Sequence, residues 1–398
     1  MKKFMKIACL CLALTMVLGM FAGCASKEKS SDVFMLGGVG PLTGGAAIYG
    51  NAAKNGAEIA VEEINALGGD IQFELKYEDD AHDAEKSVNA YNTLKDWGMQ
   101  IFLGSVTSAP GVATSVEAQA DNMFYLTPSA SSTDVLGGVA NPLTGTVDIA
   151  RKANVFQLCF MDPNQGSASA QYISDQGLGS KIAVIYKNDD VYSTGIYNSF
   201  AAKAEELNLE IVSVTTFTSD SQNDFSAQIS DAKAAEADLV FLPMYYEAAS
   251  LILTQANDVG YAPTFFGVDG MDGILSVEGF DTSLAEGVIL LTPFNADAED
   301  EATKSFVSKY QDKHGEIPNQ FAADAYDCVY AIYEALKAVD AKPSMSAEEL
   351  GDLLIAEFTG DFSFDGLTGE GMTWDETGAV SKSPKGMVIQ NGVYVGLD

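Results

Sequence analysis

The side chains that could do chemistry in this sequence stand just beyond its short apolar runs. Thr107 and Ser108 follow the run 101–106, and Ser129-Ala130-Ser131-Ser132 follow 123–127. Asp190-Val191-Tyr192 lie a few residues past 181–186, Tyr245 and Tyr246 past 238–242, and Asp269 past 264–267. Serine hydroxyls at a helix start, with the helix's unpaired N–H groups and dipole, suit a carboxylate. A lone carboxylate opposite them suits an ammonium group, and the two together would receive an amino-acid zwitterion. Taken singly, each serine reads as a helix cap, so this reading rests on their coincidence at several strand ends. Catalysis finds little support. The only histidines are His82 and His314, neither beside a serine in a nucleophile-elbow sequence. No Gly-x-Ser-x-Gly or phosphate-binding loop occurs, and the cysteine and histidine spacing supports no zinc site. The acidic run Asp297-Ala298-Glu299-Asp300 reads as a solvated surface.

These residues need elements to position them, and the periodicity supplies alternating ones. Strands are expected at 33–39, 71–77, 101–106 and 123–127, with helices at 53–67, 84–97 and 110–120 between them. The rhythm resumes with strands at 181–186, 210–217, 238–242 and 264–267, and helices at 197–207, 225–234 and 248–259. Strands alternating with helices imply parallel sheets with right-handed crossovers. Two such blocks imply two doubly wound domains, and ligands of such sheets bind beyond the carboxyl ends of the strands. Towards the C-terminus the rhythm breaks into helices at 301–314 and 322–339, a glycine-rich stretch at 358–371 and short strand-like runs. A chain returning to complete domains begun earlier would look like this.

The N-terminus reads as a processing segment. Lys2, Lys3 and Lys6 precede an apolar stretch from Ile7 to Ala22, and Phe21-Ala22-Gly23-Cys24 then gives way to a Ser/Lys-rich tether. Small residues before a cysteine resemble a bacterial lipobox. That resemblance implies cleavage before Cys24 and a lipid on its sulfur, although Phe21 stands where leucine is usual. The run is too short for a retained span. With 56 acidic against 22 basic residues, the formal net charge is −34. Such a chain is repelled by nucleic acid and anionic headgroups, while 47% hydrophobic residues provide for a large core. Cys159 and Cys328, the only cysteines after Cys24, read as small buried hydrophobes rather than a disulfide.

Several stretches carry a family likeness. Gly40-Pro41-Leu42-Thr43-Gly44 with Tyr49-Gly50, Tyr77-Glu78-Asp79-Asp80, Phe102-Leu103-Gly104-Ser105 and Leu126-Thr127-Pro128-Ser129-Ala130-Ser131 come first in order. Asp162-Pro163-Asn164-Gln165-Gly166, Ala325-Tyr326-Asp327 and Phe364-Asp365-Gly366-Leu367-Thr368-Gly369 follow. Together they resemble the branched-chain amino-acid binding proteins of ABC transporters, of the type I periplasmic-binding-protein superfamily, across essentially all of the chain after the tether. The resemblance implies that Ser108 and Ser131 hold an α-carboxylate, and that the Ser129 carbonyl and Asp269 take the α-ammonium. It implies that Tyr49, Tyr192 and Tyr245 line the side-chain pocket or clasp the ligand across the cleft. Two departures stand out. Asp269 replaces a longer Glu common in those relatives, and His82 and Thr107 stand where some carry a cysteine pair.

The resemblance also implies three crossovers between lobes, near Phe160, Phe294 and Phe358, forming a hinge about which the lobes close. The expected organisation is a lipoprotein signal peptide over 1–23 and an anchor and tether over 24–32. One lobe comprises 33–160 with 295–358, and the other 161–294 with 359–398. The expected function is capture of an amino acid, with branched-chain or other apolar ligands foremost, for the permease subunits of an ABC uptake transporter. No cofactor or metal is expected. The protein would be an extracytoplasmic monomer touching the membrane only through Cys24. Alternatives keep the fold and bind a short amide, urea or aromatic acid, or serve a signalling partner as a sensor.

Overall fold

The computed structural model describes residues 32–397; the expected signal peptide and the anchor at Cys24 lie outside them. The architecture is α/β, built on two sheets. The first begins with β1 (Phe34–Gly40), whose apolar run is buried because neighbours flank it on both sides. After α1 (Ala47–Ala66) come β2 (Phe73–Asp79), α2 (Ala84–Trp97), β3 (Ile101–Ser105), α3 (Ser108–Ala120), β4 (Tyr125–Thr127) and β5 (Val155–Gln157). These strands lie parallel in the order β2-β1-β3-β4-β5.

The second sheet follows α4 (Asp162–Gln176). Its strands are β6 (Ile182–Lys187), β7 (Ile211–Phe217), β8 (Leu239–Leu242), β9 (Thr264–Gly267) and β10 (Ile289–Thr292). Between them run α5 (Val191–Leu207), α6 (Ser226–Ala234) and α7 (Tyr246–Asp258). The sheet order is β12-β11-β10-β9-β8-β6-β7, where β11 (Lys385–Gln390) and β12 (Val393–Leu397) add an antiparallel hairpin to the parallel set. Before that hairpin the chain returns to the first sheet. There α8 (Glu301–His314) and α9 (Gln320–Ala338) pack on α1, and α10 (Ala347–Phe358) packs on α9 and β3.

Each sheet has one place where the strand order reverses, between β1 and β3 in the first and between β6 and β8 in the second. Loops leaving the carboxyl ends of two such neighbours diverge and leave a crevice, the usual ligand position in these folds. The residues singled out above follow β3 and β4 in one sheet and β6, β8 and β9 in the other.

Close backbone contact holds the first half together. A Cβ on Gly56 of α1 would lie 1.9 Å from the carbonyl oxygen of Ala322 at the start of α9. The obstacle is backbone, so Gly56→Ala must push the helices apart. We expect a loss of about 1–3 kcal/mol, typical of overpacking, read as a lowered midpoint in chemical denaturation. An unchanged midpoint would mean that the helices slide freely.

The chain crosses between the two sheets three times, after β5, after β10 and after α10. In the last segment Trp374 is buried against Phe358 and Phe362, and its Nε1 donates to the Gln157 carbonyl at 2.8 Å. A few residues on, Lys382 is buried and donates to Asp324 of α9 at 2.8 Å and to the Thr368 hydroxyl at 2.6 Å. Cys159 and Cys328 are both buried and free.

Candidate functional site

The site is assembled from helix beginnings. α1 starts at Ala47, six residues before the periodicity suggests, and its first turn carries Tyr49. Ser108 is the first residue of α3. Tyr192 lies in the first turn of α5, where the Asp190 side chain caps the helix by accepting from the Tyr192 N–H at 3.2 Å. Tyr245 immediately precedes α7, and Asp269 opens a 3₁₀ turn just after β9. Free N–H groups collect at such starts, which is why polar and aromatic residues rather than apolar ones occupy them.

Tyr49, Ser129, Tyr192, Tyr245 and Asp269 come together around one small cavity, completed by Val106, Thr107, Gly270 and Phe321. Ser108 and Ser131 stand behind that lining. The Ser108 hydroxyl accepts from the Ser132 N–H at 3.2 Å, and the Ser108 N–H acts on the Tyr245 hydroxyl. Among the neighbouring serines, Ser132 is a plain cap, accepting from the Asp134 N–H at 3.3 Å. Ser131 is fully buried, and no hydrogen bond of normal geometry reaches its hydroxyl.

The two halves meet through tyrosines. Tyr49, on the first-sheet side, donates to the Gly270 carbonyl and accepts from the Tyr246 N–H at 3.1 Å. Its ring lies 4.4 Å from Phe321 and meets Tyr245 edge-on at 5.4 Å, while Tyr245 stacks on Tyr192 at 4.7 Å. The space left inside is about 10 Å³, roughly one water molecule. Anything larger than a water molecule enters only when the halves part or Tyr245 swings away.

Asp269 is the electrostatic centre. Its Oδ1 accepts from the Tyr192 hydroxyl at 2.5 Å, its N–H donates to Gln165 Oε1 at 3.3 Å, and its carbonyl accepts from Gln320 Nε2 at 2.8 Å. Burial pushes the carboxyl up to about 7; the Tyr192 hydrogen bond opposes this, and Asp324 adds to the rise. A buried carboxylate held this way is poised for a cation. His82 and Thr107, in place of a cysteine pair, are joined by a 2.8 Å hydrogen bond between Nδ1 and Oγ1. Burial brings His82 down to about 4, and its ring meets Tyr245 edge-on at 5.4 Å.

Sequence reasoning passed over Gln165, Gln320 and Phe321. Gln165 was visible only as part of a quoted motif. Gln320 directly follows Asn319, whose side chain caps α9 by accepting from the Ala322 N–H at 3.3 Å, and that cap was the available signal. Among the described residues no cluster of ligating side chains suits a metal ion, and no helix is long and apolar enough to cross a membrane.

Comparison with known proteins agrees with this geometry. A family model described as periplasmic binding protein matches residues 34–390. A leucine-, isoleucine-, valine-, threonine- and alanine-binding protein of Pseudomonas aeruginosa is 26% identical over 347 residues, covering 86% of this chain and 89% of that protein. The crystal structure of a leucine-binding protein from Thermotoga maritima superposes with a TM-score of 0.79 at 26% identity, covering 92% of this chain and 98% of that one. A branched-chain amino-acid transporter substrate-binding protein from Streptococcus pneumoniae, solved with isoleucine, gives 0.78 at 26% identity over 92% and 100%.

Proposed function

The chain belongs to the periplasmic binding protein family, and from that premise we propose that it captures an apolar amino acid and delivers it to the permease of an ABC uptake transporter. The observation that carries this reading is the placement of Asp269, three tyrosines and Ser129 around one cavity, with Ser108 at the start of α3 held to the Ser129–Ser132 stretch through the Ser132 N–H. In this reading Ser108 and Ser131 bind the α-carboxylate at the start of α3. The Ser129 carbonyl and Asp269 bind the α-ammonium, and Tyr49, Tyr192 and Tyr245 enclose the side chain. The named relatives bind leucine, isoleucine, valine, threonine and alanine, which supports an aliphatic ligand.

The two halves act as lobes, 33–160 with 295–358 and 161–294 with 359–398, hinged at the three crossings. Closure of the Tyr49 contacts over the ligand presents a surface that the open form lacks, so a transporter can tell loaded from empty. Cys24 tethers the receptor outside the cytoplasm through its lipid, and the protein works as a monomer.

The test is thermal unfolding of the chain from residue 25 onward, refolded to strip bound ligand, against L-amino acids, short amides and aromatic acids. A ligand at about a hundred times its Kd adds roughly 2.7 kcal/mol, a clear rise in Tm. We expect the rise with isoleucine, leucine or valine. Silence from every amino acid with a response to an amide or acid would keep the clamp and overturn the ligand. The second outcome has one observation in its favour: a carboxyl held up to about 7 is partly protonated at neutral pH and can donate to a ligand without an amine.

A further inference from the structure

Beside the cavity lies a carboxyl with no evident employment. Asp162, the first residue of α4, is 1% exposed, and neither of its oxygens has a hydrogen bond of normal geometry. Its N–H donates to the Ser131 carbonyl at 3.0 Å, and the Ser131 hydroxyl, likewise without a formed hydrogen bond, sits beside its carboxyl and mildly favours its charged form. Behind it, Gly195 of α5 leaves no room for a side chain, since a Cβ there would lie 2.8 Å from Asp162 Oδ2. Buried polar groups in native proteins almost always have partners, so an orphaned pair one contact from a binding cavity calls for a ligand that completes it.

The groups around Asp162 decide its form. Asp134 in the helical turn Thr133–Leu136, Asp190 capping α5 and Asp269 after β9 all act on it. Tyr245 before α7 and Cys159 before α4 feel its charge in turn. Burial and the three carboxylates all disfavour ionisation, and the carboxyl is raised well above its ordinary range.

We propose that Asp162 is a positioning residue for the ligand's carboxylate: its hydroxyl form donates to the Ser131 oxygen, which leaves the Ser131 hydrogen for the ligand. An ionised Asp162 would do the reverse. It would take the Ser131 hydrogen for itself and set a negative charge against the incoming carboxylate. Binding of a carboxylate ligand therefore requires the protonated form. By linkage, affinity is fully present below the pKa that Asp162 has in the empty protein, and falls as pH rises from there through the higher pKa of the complex.

This inference rests on the receptor reading above, and its test is arranged to fail separately. Calorimetric titration of L-isoleucine from about pH 5.5 to 8.5, below the range where the free amino group titrates, compares the wild type with Asp162→Asn. Asp269, held up to about 7, titrates in both proteins and strengthens binding in both as it ionises, so the quantity read is the ratio of wild-type to variant affinity, which is expected to fall as pH rises, by up to about tenfold per pH unit. Asp162→Asn keeps a donor and cannot ionise, so its affinity carries the Asp269 dependence alone. A ratio that stays level or rises with pH would overturn the proposal. If the variant does not fold, proton exchange on binding to the wild type, measured in buffers of different ionisation heat near pH 8, decides. Net uptake supports the proposal; none, or net release, overturns it. A wild type that binds no amino acid at any pH is the distinct failure of the receptor reading and appears before any variant is made.

Discussion

Asp269→Asn is expected to remove amino-acid binding and, at the same time, to make the empty protein more resistant to heat. The two effects have one origin. An ammonium group brought into the cavity meets the buried Asp269 carboxylate, oriented by Tyr192 and Gln165. Truncating one side of such a desolvated pair costs about 2–5 kcal/mol, enough to erase the rise in Tm that isoleucine gives the wild type. With no ligand, the same carboxylate is a liability. Its pKa of about 7 stands above the ordinary 3.8 because burial disfavours the charge. A raised acid contributes fully below its unfolded pKa and loses that contribution as pH rises through the folded one. The penalty on the wild type therefore grows from about pH 4 to 7 and stays in full above that, and the asparagine variant, uncharged throughout, escapes it. Melting curves at pH 5 and pH 8, with and without isoleucine, check both halves. The variant should gain on the wild type at both, and by more at pH 8, where the penalty is complete, than at pH 5, where it has only begun to build. An unchanged ligand-induced shift would place the amine elsewhere.

Lys382→Met is expected to be the most destabilising single substitution outside the cavity. Lys382 and Asp324 are 0% and 2% exposed, and the network extends through Thr368 to Asp327, which also accepts from the N–H groups of Leu367 and Thr368 at 2.9 Å. Removing one member of a buried ion pair leaves the other charge without compensation and costs about 3–5 kcal/mol, whereas replacing both with apolar groups is often neutral. Asp324→Leu in the same chain should therefore recover much of the loss, and a double-mutant cycle in urea measures how much. The pH dependence has a definite sign. Burial already holds Asp324 up at about 6 against the pull of Lys382. Without the lysine it rises further, so the variant's deficit should be larger at pH 7.5 than at pH 5, where Asp324 can fold protonated.

Strands such as Ile101–Ser105 and Leu239–Leu242 were legible because each is a short apolar run buried along its length. Helix starts were not. α1 begins at Ala47 rather than 53 and α5 at Val191 rather than 197, since Tyr49, Gly50, Tyr192 and Gly195 carry no helical apolar period. α4 escaped entirely: it packs on α5 through Gly166, Ser169 and Ala170, small residues that pattern reasoning treats as loop. Its proline near the start and the left-handed Gly177 at its end were the usable signals. α10 went unread although Ser346 and Glu349 form a capping box. Strands β5 and β10, three and four residues long, went unread, although β4, β8 and β9 are equally short. Of the site, the chemistry at the strand ends could be read from residue types and the likeness to relatives. That Tyr245 closes against Tyr192 and His82, or that Asp162 sits unpaired behind Ser131, follows only from tertiary placement.

Trp374 gives the molecule an optical gauge of its own. The chain has two tryptophans, and Trp97 lies on α2 with Lys76 about 6.0 Å from its ring. Trp374 sits in the third crossing and hydrogen-bonds the end of β5, where the first crossing begins. Any bending at these crossings would strain or release that hydrogen bond and repack the indole against Phe358, so its emission wavelength and quenching would report such bending without an attached dye. With Trp97→Phe the signal comes from that indole alone, and stopped-flow fluorescence on adding isoleucine then tests whether these crossings move at all, and how fast.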